Sequence, residues 1–226
     1  MITTLFFDLD GTLLQMDEEA FIPLYFKSIS AYMGQFGLNG EKLLKTIAKG
    51  TKAMFANDGS MTNEERFWTT TADAFDPQLR TYEDKFTKYY QTQFDECIAV
   101  CQKVPHAEEL VKHAKALGFR IVCASNPVFP KVAMRQRLKW AGIDPDLFDW
   151  ITSYDTSSFS KSDPRFFGDT CTRLGLKPEE CLMLGNNPVE DANSAKAGLH
   201  FQLVSNFDYA PVYERLEKEA ANLKQR

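Results

Sequence analysis

Asp8 and Asp10 stand two residues apart at the end of a mostly apolar run, Ile2 to Phe7, and Gly11-Thr12 follows at once. In a strand, residues i and i+2 share one face. A strand ending here aims both carboxylates into one small volume at its C-terminal tip. Paired carboxylates repel, and a cation between them removes the repulsion. The spacing points to a magnesium site with a nucleophile, at the sheet edge where open α/β folds bind ligands. Asp-x-Asp-Gly also fits a plain turn, so the rest of the chain has to decide.

Three further polar groups follow predicted strands. Ser125-Asn126-Pro127 comes after Phe119–Ala124, Ser160-Lys161-Ser162-Asp163-Pro164 after a strand near 151, and Gly185-Asn186-Asn187-Pro188-Val189-Glu190-Asp191 after Cys181–Leu184. A hydroxyl with backbone N–H groups at a strand-to-loop turn suits phosphate oxygens. Each group also fits a structural role. Ser125 and Asn126 serve equally as loop residues, Lys161 as a solvated lysine, and Asn187, Pro188 and Glu190 as a capping start to a helix over roughly 188–197. Their order, each at a strand tip beside Asp8 and Asp10, favours a joint chemical role.

The elements that position these residues alternate. Strands are expected at 2–8, 119–124, about 150–154, 181–184 and 200–204. Amphipathic helices fall at roughly 106–117, 130–141, 164–174 and 188–197. Gly118, Gly142, Gly175 and Gly198 follow them where a left-handed residue ends a helix. This rhythm predicts an α/β fold with a Rossmann-like parallel five-stranded sheet flanked by helices. Residues 15–104 break the rhythm with helical patterns and no convincing strand. Their stripes, Phe21, Leu24, Tyr25, Ser28, Ile29 and Tyr32, and Phe86, Tyr89, Tyr90 and Phe94, read as helical-bundle core. The domain reading is therefore a core of 1–14 and 105–226, with an all-helical insertion at 15–104 after the first strand.

The chain has 226 residues and a net charge of −5 with scattered positive residues, which argues against nucleic acid as a partner. No apolar stretch is long enough for a membrane span. The N-terminus shows no signal-peptide pattern, so a cytoplasmic setting is expected. The five cysteines include no Cys-x-x-Cys; Cys123 and Cys181 read as small core residues and Cys97 and Cys101 as reduced thiols. Nothing in the sequence sets an oligomeric state.

These motifs, in this order, resemble the haloacid dehalogenase-like (HAD) hydrolase superfamily, in the subgroup with a helical cap after the first strand. Phe7-Asp8-Leu9-Asp10-Gly11-Thr12-Leu13 is similar to its first motif, Ser125-Asn126 to its second, Lys161 to its third, and Gly185 through Asp191 to its fourth. The resemblance implies that Asp8 is a nucleophile forming an aspartyl-phosphate and that Asp10 is the general acid/base. It implies that Gly11, Thr12, Ser125, Asn126 and Lys161 hold the phosphoryl group, with Lys161 also neutralising Asp8. Mg2+ would be held by Asp8, Asp10, Asn186 and Asp191. The implied activity is a magnesium-dependent phosphatase acting on a small phosphorylated metabolite. The fourth motif departs from the family at Asn186, where an acid is usual. That departure keeps a weakly active or non-catalytic binding member as an alternative, beside a phosphomutase or a phosphonate-cleaving member. Phe21, Lys52, Phe55, Arg66 and Trp68 are the residues expected to set specificity from the insertion.

Overall fold

The computed structural model describes residues 1–223; the last three residues of the expected core lie outside the described residues. Strand β1 (Thr4–Phe7) leads into β2 (Leu14–Met16), and helices α1 (Glu18–Gly34), α2 (Gly40–Phe55), α3 (Asn63–Thr71) and α4 (Glu83–Gln91) follow. The chain returns through β3 (Cys101–Lys103). It then alternates: α5 (Ala107–Ala116), β4 (Arg120–Cys123), α6 (Lys131–Trp140), β5 (Trp150–Ile151), α7 (Arg165–Leu174), β6 (Cys181–Gly185), α8 (Asn193–Lys196), β7 (His200–Leu203) and α9 (Ala210–Leu223).

The five-stranded sheet has the order β5-β4-β1-β6-β7, and every pairing is parallel. Phe7 pairs with Cys123 on one side and Leu184 on the other, so β1 is central and its tip is level with those of β4 and β6. All strand ends that carry the motifs thus lie on one edge. Alternation sorts the apolar side chains. Leu5 and Phe7 pack with Ile121, Cys123, Leu182 and Leu184 on one face, and Phe6 packs with Val122, Met183, Phe166 and Phe167 on the other.

The helices between β2 and β3 start on recognisable caps. The Asp17 carboxylate accepts from the Ala20 N–H and the Asn39 side chain from the Lys42 N–H, while Thr62 and Glu65 form a reciprocal capping box. Both expected aromatic stripes turn inward: Phe21, Tyr25, Phe86, Tyr89, Tyr90 and Phe94 are buried.

Two expectations need correction. Residues 15–104 were expected to lack strands, but β2 and β3 form an antiparallel ribbon that pairs Leu14 with Lys103 and Met16 with Cys101. Each strand is three residues long, too short for an alternating pattern to register. The helix expected at 188–197 shrinks to Asn193–Lys196. Asn187 Oδ1 accepts from the N–H groups of Val189 and Glu190, and Asp191 Oδ2 reaches back to the Asn187 N–H, so this stretch coils in local turns.

Candidate active site

Asp8 follows the last residue of β1, and its N–H still donates to Leu184 O, which holds it at the sheet edge. Its carboxylate is buried. Lys161 Nζ donates to Asp8 Oδ1 at 2.6 Å, and Thr12 Oγ1 donates to Asp8 Oδ2 at 3.0 Å. The same Thr12 hydroxyl lies 3.2 Å from Asn186 Oδ1. Gly11, with φ +77°, turns the chain between these groups. A Cβ there would fall 2.2 Å from Asn186 Nδ2, so glycine lets the amide close over the turn.

Lys161 is a buried ammonium shared by two carboxylates, Asp8 and Asp191. Burial works against its charge, but Asp8 and Asp191 outweigh burial and hold its pKa above that of an ordinary lysine. Asp191 is fully buried. Its Oδ2 accepts from the Asn187 N–H, and its Oδ1 forms the ion pair with Lys161 but receives no well-directed hydrogen bond. Gly185 makes room for it, since a Cβ there would fall 2.2 Å from Asp191 Oδ2.

Ser125 and Asn126 follow β4 as expected but differ in what they touch. Ser125 Oγ lies 3.5 Å from Asp10 Oδ2, inside the site. The Asn126 side chain instead ties loops together: its Oδ1 accepts from the Lys161 N–H and its Nδ2 donates to Glu190. Asn193 Nδ2 reinforces this by donating to the carbonyls of Lys161 and Ser162.

Sequence reasoning missed two residues. Arg137, on α6, is buried and pairs through Nη2 with Asp10 Oδ1. Its Cζ also lies 5.7 Å and 5.4 Å from the ring centres of Phe21 and Phe129. Tyr209 donates its hydroxyl to Thr12 O at 2.6 Å and braces the loop after Asp10. Arginine on an amphipathic helix and tyrosine before the last helix are ordinary surface patterns, so neither carried a signal.

Charge is unbalanced here. Burial pushes Asp8 from 3.8 up to about 7, with Asp191 and Asp10 adding to the rise against the pull of Lys161. Asp8, Asp10 and Asp191 face two cations, Lys161 and Arg137. Among the described residues no three His, Cys, Asp or Glu side chains form a metal cluster by themselves. A hard cation would therefore need the amide oxygen of Asn186 and backbone carbonyl oxygen beside Asp8. An all-oxygen donor set short of positive charge fits magnesium.

Of the residues expected to set specificity, Lys52, Phe55 and Trp68 line a chamber of about 540 Å³ between the helical segment and the loop after Asn126. Phe21 packs against Arg137 and Phe129 instead. Arg66 is engaged with Asp58, Asn57 and Ser60.

A family model for haloacid dehalogenase-like hydrolases matches residues 2–198. A phosphoglycolate phosphatase from Cereibacter sphaeroides is 36% identical over 112 residues, a match that spans 49% of each chain. A glyceraldehyde 3-phosphate phosphatase from Methanothermobacter thermautotrophicus is 28% identical over 215 residues, 91% of this chain and 87% of that one. Among solved structures, a predicted HAD-like family hydrolase from Porphyromonas gingivalis shares the fold with a TM-score of 0.55 at 24% identity, covering 96% of this chain and 98% of that one. The match from β1 through the loop after β6 takes in every strand tip described above, and the chain belongs to the haloacid dehalogenase-like hydrolases.

Proposed function

We propose that this chain is a magnesium-dependent phosphatase that hydrolyses phosphate monoesters through an aspartyl-phosphate on Asp8. One observation carries the reading: Asp8 is a buried carboxylate held by Lys161 at 2.6 Å, with Asp10 beside it at the same strand tip. The phosphatase names of the relatives from Cereibacter sphaeroides and Methanothermobacter thermautotrophicus support it.

The chemistry follows from the charges. A carboxylate approaching a phosphate meets repulsion of about 4 kcal/mol per unit-charge pair at ~4 Å and an effective dielectric near 20. Lys161 offsets this at Asp8, and the Ser125 hydroxyl and adjacent N–H groups orient the phosphoryl oxygens. An Asp8 oxygen forms a bond to phosphorus as the ester P–O bond breaks, and protonated Asp10 gives its proton to the departing alkoxide. Asp10, now a carboxylate, takes a proton from water. That water attacks phosphorus, which frees inorganic phosphate and regenerates Asp8. Asp8, the Asp10 carbonyl and Asn186 would hold magnesium, which when bound supplies further charge neutralisation of the phosphate. Asp191, which the resemblance also gives to the metal, is paired with Lys161 and in this reading acts through it.

The helical segment 15–104 acts as a cap on a core of 1–14 and 105–226, with the β2–β3 ribbon carrying both crossings. Asp10 favours phosphoryl transfer over carbon–halogen cleavage, which has no leaving alkoxide to protonate. The test is phosphate release from a panel of monoesters with magnesium, with Asp8→Asn and a chelator as blanks. Absence of Asp8-dependent release across the panel would remove the reading.

A further inference from the structure

The chamber of about 540 Å³ is separate from the phosphate seat: Asp8, Asp10, Ser125, Lys161 and Asn186 are not among its lining residues. Part of its lining nevertheless belongs to the loop that leaves that seat. Val128 and Phe129 are among its lining residues, and Val128 is three residues after Ser125. At roughly 3.8 Å per residue the two lie within about 11 Å of each other. The Val128 N–H bonds Asn126 O at 2.9 Å, which tightens the turn and brings them closer. The alcohol portion of an ester anchored at Asp8 and Ser125 therefore has only this short span to cross to meet Val128.

The walls are apolar. Tyr25, Phe67 and Trp68 come from the helical segment. Tyr25 and its neighbour Tyr90 bond each other's hydroxyls at 2.8 Å, so their polar ends are already paired. Among the described lining residues the one charged side chain is Lys52, which is exposed at the surface. A small polyhydroxy or carboxylate-bearing alcohol placed here would lose its hydration with few groups to replace it. An apolar alcohol would gain by leaving water. The volume falls within the usual range for a drug-sized ligand.

We propose that the preferred substrates are phosphate monoesters of a bulky apolar alcohol, aryl or medium-chain alkyl, seated in this chamber. The proposal rests on the phosphatase reading and names the substrate class within it. It separates this chain from its named relatives, whose phosphoglycolate and glyceraldehyde 3-phosphate are small and polar.

The experiment compares kcat/KM for 1-naphthyl phosphate, 2-phosphoglycolate, glyceraldehyde 3-phosphate and acetyl phosphate with magnesium. It uses the full chain, Ala48→Phe and Thr51→Trp; both positions line the chamber, and Ala48 is exposed, so a larger side chain there can fill it from the open side. The parent is expected to prefer 1-naphthyl phosphate over 2-phosphoglycolate by about tenfold or more. Each filling substitution is expected to cut the ratio of 1-naphthyl to acetyl phosphate activity by a similar factor. Calorimetry on Asp8→Asn should show 1-naphthyl phosphate binding at least about tenfold tighter than inorganic phosphate. Asp8-dependent hydrolysis of acetyl phosphate without aryl preference, or a ratio that neither substitution moves, overturns this inference alone. Failure of all three esters and of acetyl phosphate overturns the phosphatase reading and this inference with it.

Discussion

Arg137 on α6 and Asp10 after β1, 127 residues apart in the chain, form a partly buried ion pair that sets where the Asp10 carboxylate rests. The guanidinium lies beside both the Phe21 and Phe129 rings, one from the helical segment and one from the core loop. Its Nη2 also approaches Met16 Sδ in β2, at the crossing between the two segments. Arg137 is therefore a positioning residue: it touches the proposed acid, the ribbon and the insertion together. Arg137→Met keeps apolar bulk but removes the pair. We expect kcat to fall by about 10- to 100-fold with little change in KM. Asp10 keeps some solvent access, so the stability loss should be about 1–2 kcal/mol, below the 3–5 kcal/mol of a fully dry broken pair. Steady-state kinetics and urea unfolding check both. A raised KM at constant kcat would assign Arg137 to substrate binding instead.

Asp8 should cost the metal-free protein stability. Its folded pKa is raised from 3.8 to about 7, chiefly by burial. The folded state thus holds the proton more tightly than the unfolded one, and stability declines as pH rises through that window. The cost is complete above the folded value and vanishes below the unfolded one. Asp8→Asn removes the charge, so in chelator its melting temperature should exceed the parent's at pH 8 by several degrees, on the order of 5 °C, and match it near pH 4. Magnesium should narrow the gap at pH 8. A parent that melts at the same temperature as Asp8→Asn at pH 8 in chelator would contradict the assignment.

Asn186 is the weak point of the proposed cation site. Its Oδ1 shares the Thr12 hydroxyl with Asp8, and its amide packs over Gly11. Asn186→Asp adds a charge without changing shape. Magnesium should bind about tenfold or more tightly to the variant, a gain of about 1.4 kcal/mol per tenfold. Calorimetric titration of both proteins, with no substrate present, reads the effect. Equal affinities would place the ion away from residue 186.

The parallel sheet and the edge at which the motif residues gather were legible because each feature is local in sequence. Apolar runs mark strands, glycines with positive φ follow the helices, and Asp8, Asp10, Ser125 and Lys161 sit next to those runs. Arg137 and Tyr209 were not legible, because their roles depend on which helix face the tertiary fold turns toward the site. The β2–β3 ribbon escaped notice for a related reason. Its strands are stabilised by each other across the whole insertion, and Gln15, Gln102 and Lys103 carry no apolar alternation. The resemblance gives the phosphoryl group to Ser125 and the backbone near Asn126; what the sequence did not show is that the Asn126 side chain bonds the Lys161 N–H and Glu190, so one strand-tip residue can also brace the loops beside it.

Asn63 joins the proposed cap to the core, and its loss should be felt in both. It is fully buried, and its Nδ2 donates to Pro127 O at 3.1 Å and Phe159 O at 3.3 Å. Its Oδ1 accepts from Asn57 Nδ2 at 2.8 Å, and its backbone N–H bonds Ser157 O at 2.8 Å. Pro127 directly follows Ser125-Asn126, so the contact also steadies the phosphate-side loop. Asn63→Ala strands the two carbonyls and the Asn57 amide, which should cost about 1–3 kcal/mol. Asn63→Asp should be worse at neutral pH, because an ionised carboxylate faces two carbonyl oxygens that can only accept. Protonation restores a donor, so the Asp variant should recover part of its stability as pH falls toward 4 while the Ala variant does not. Melting curves of the two variants at pH 7 and pH 4 test this. An Asp variant with no pH-dependent recovery relative to Ala would show that Asn63 does not donate across the cap–core boundary.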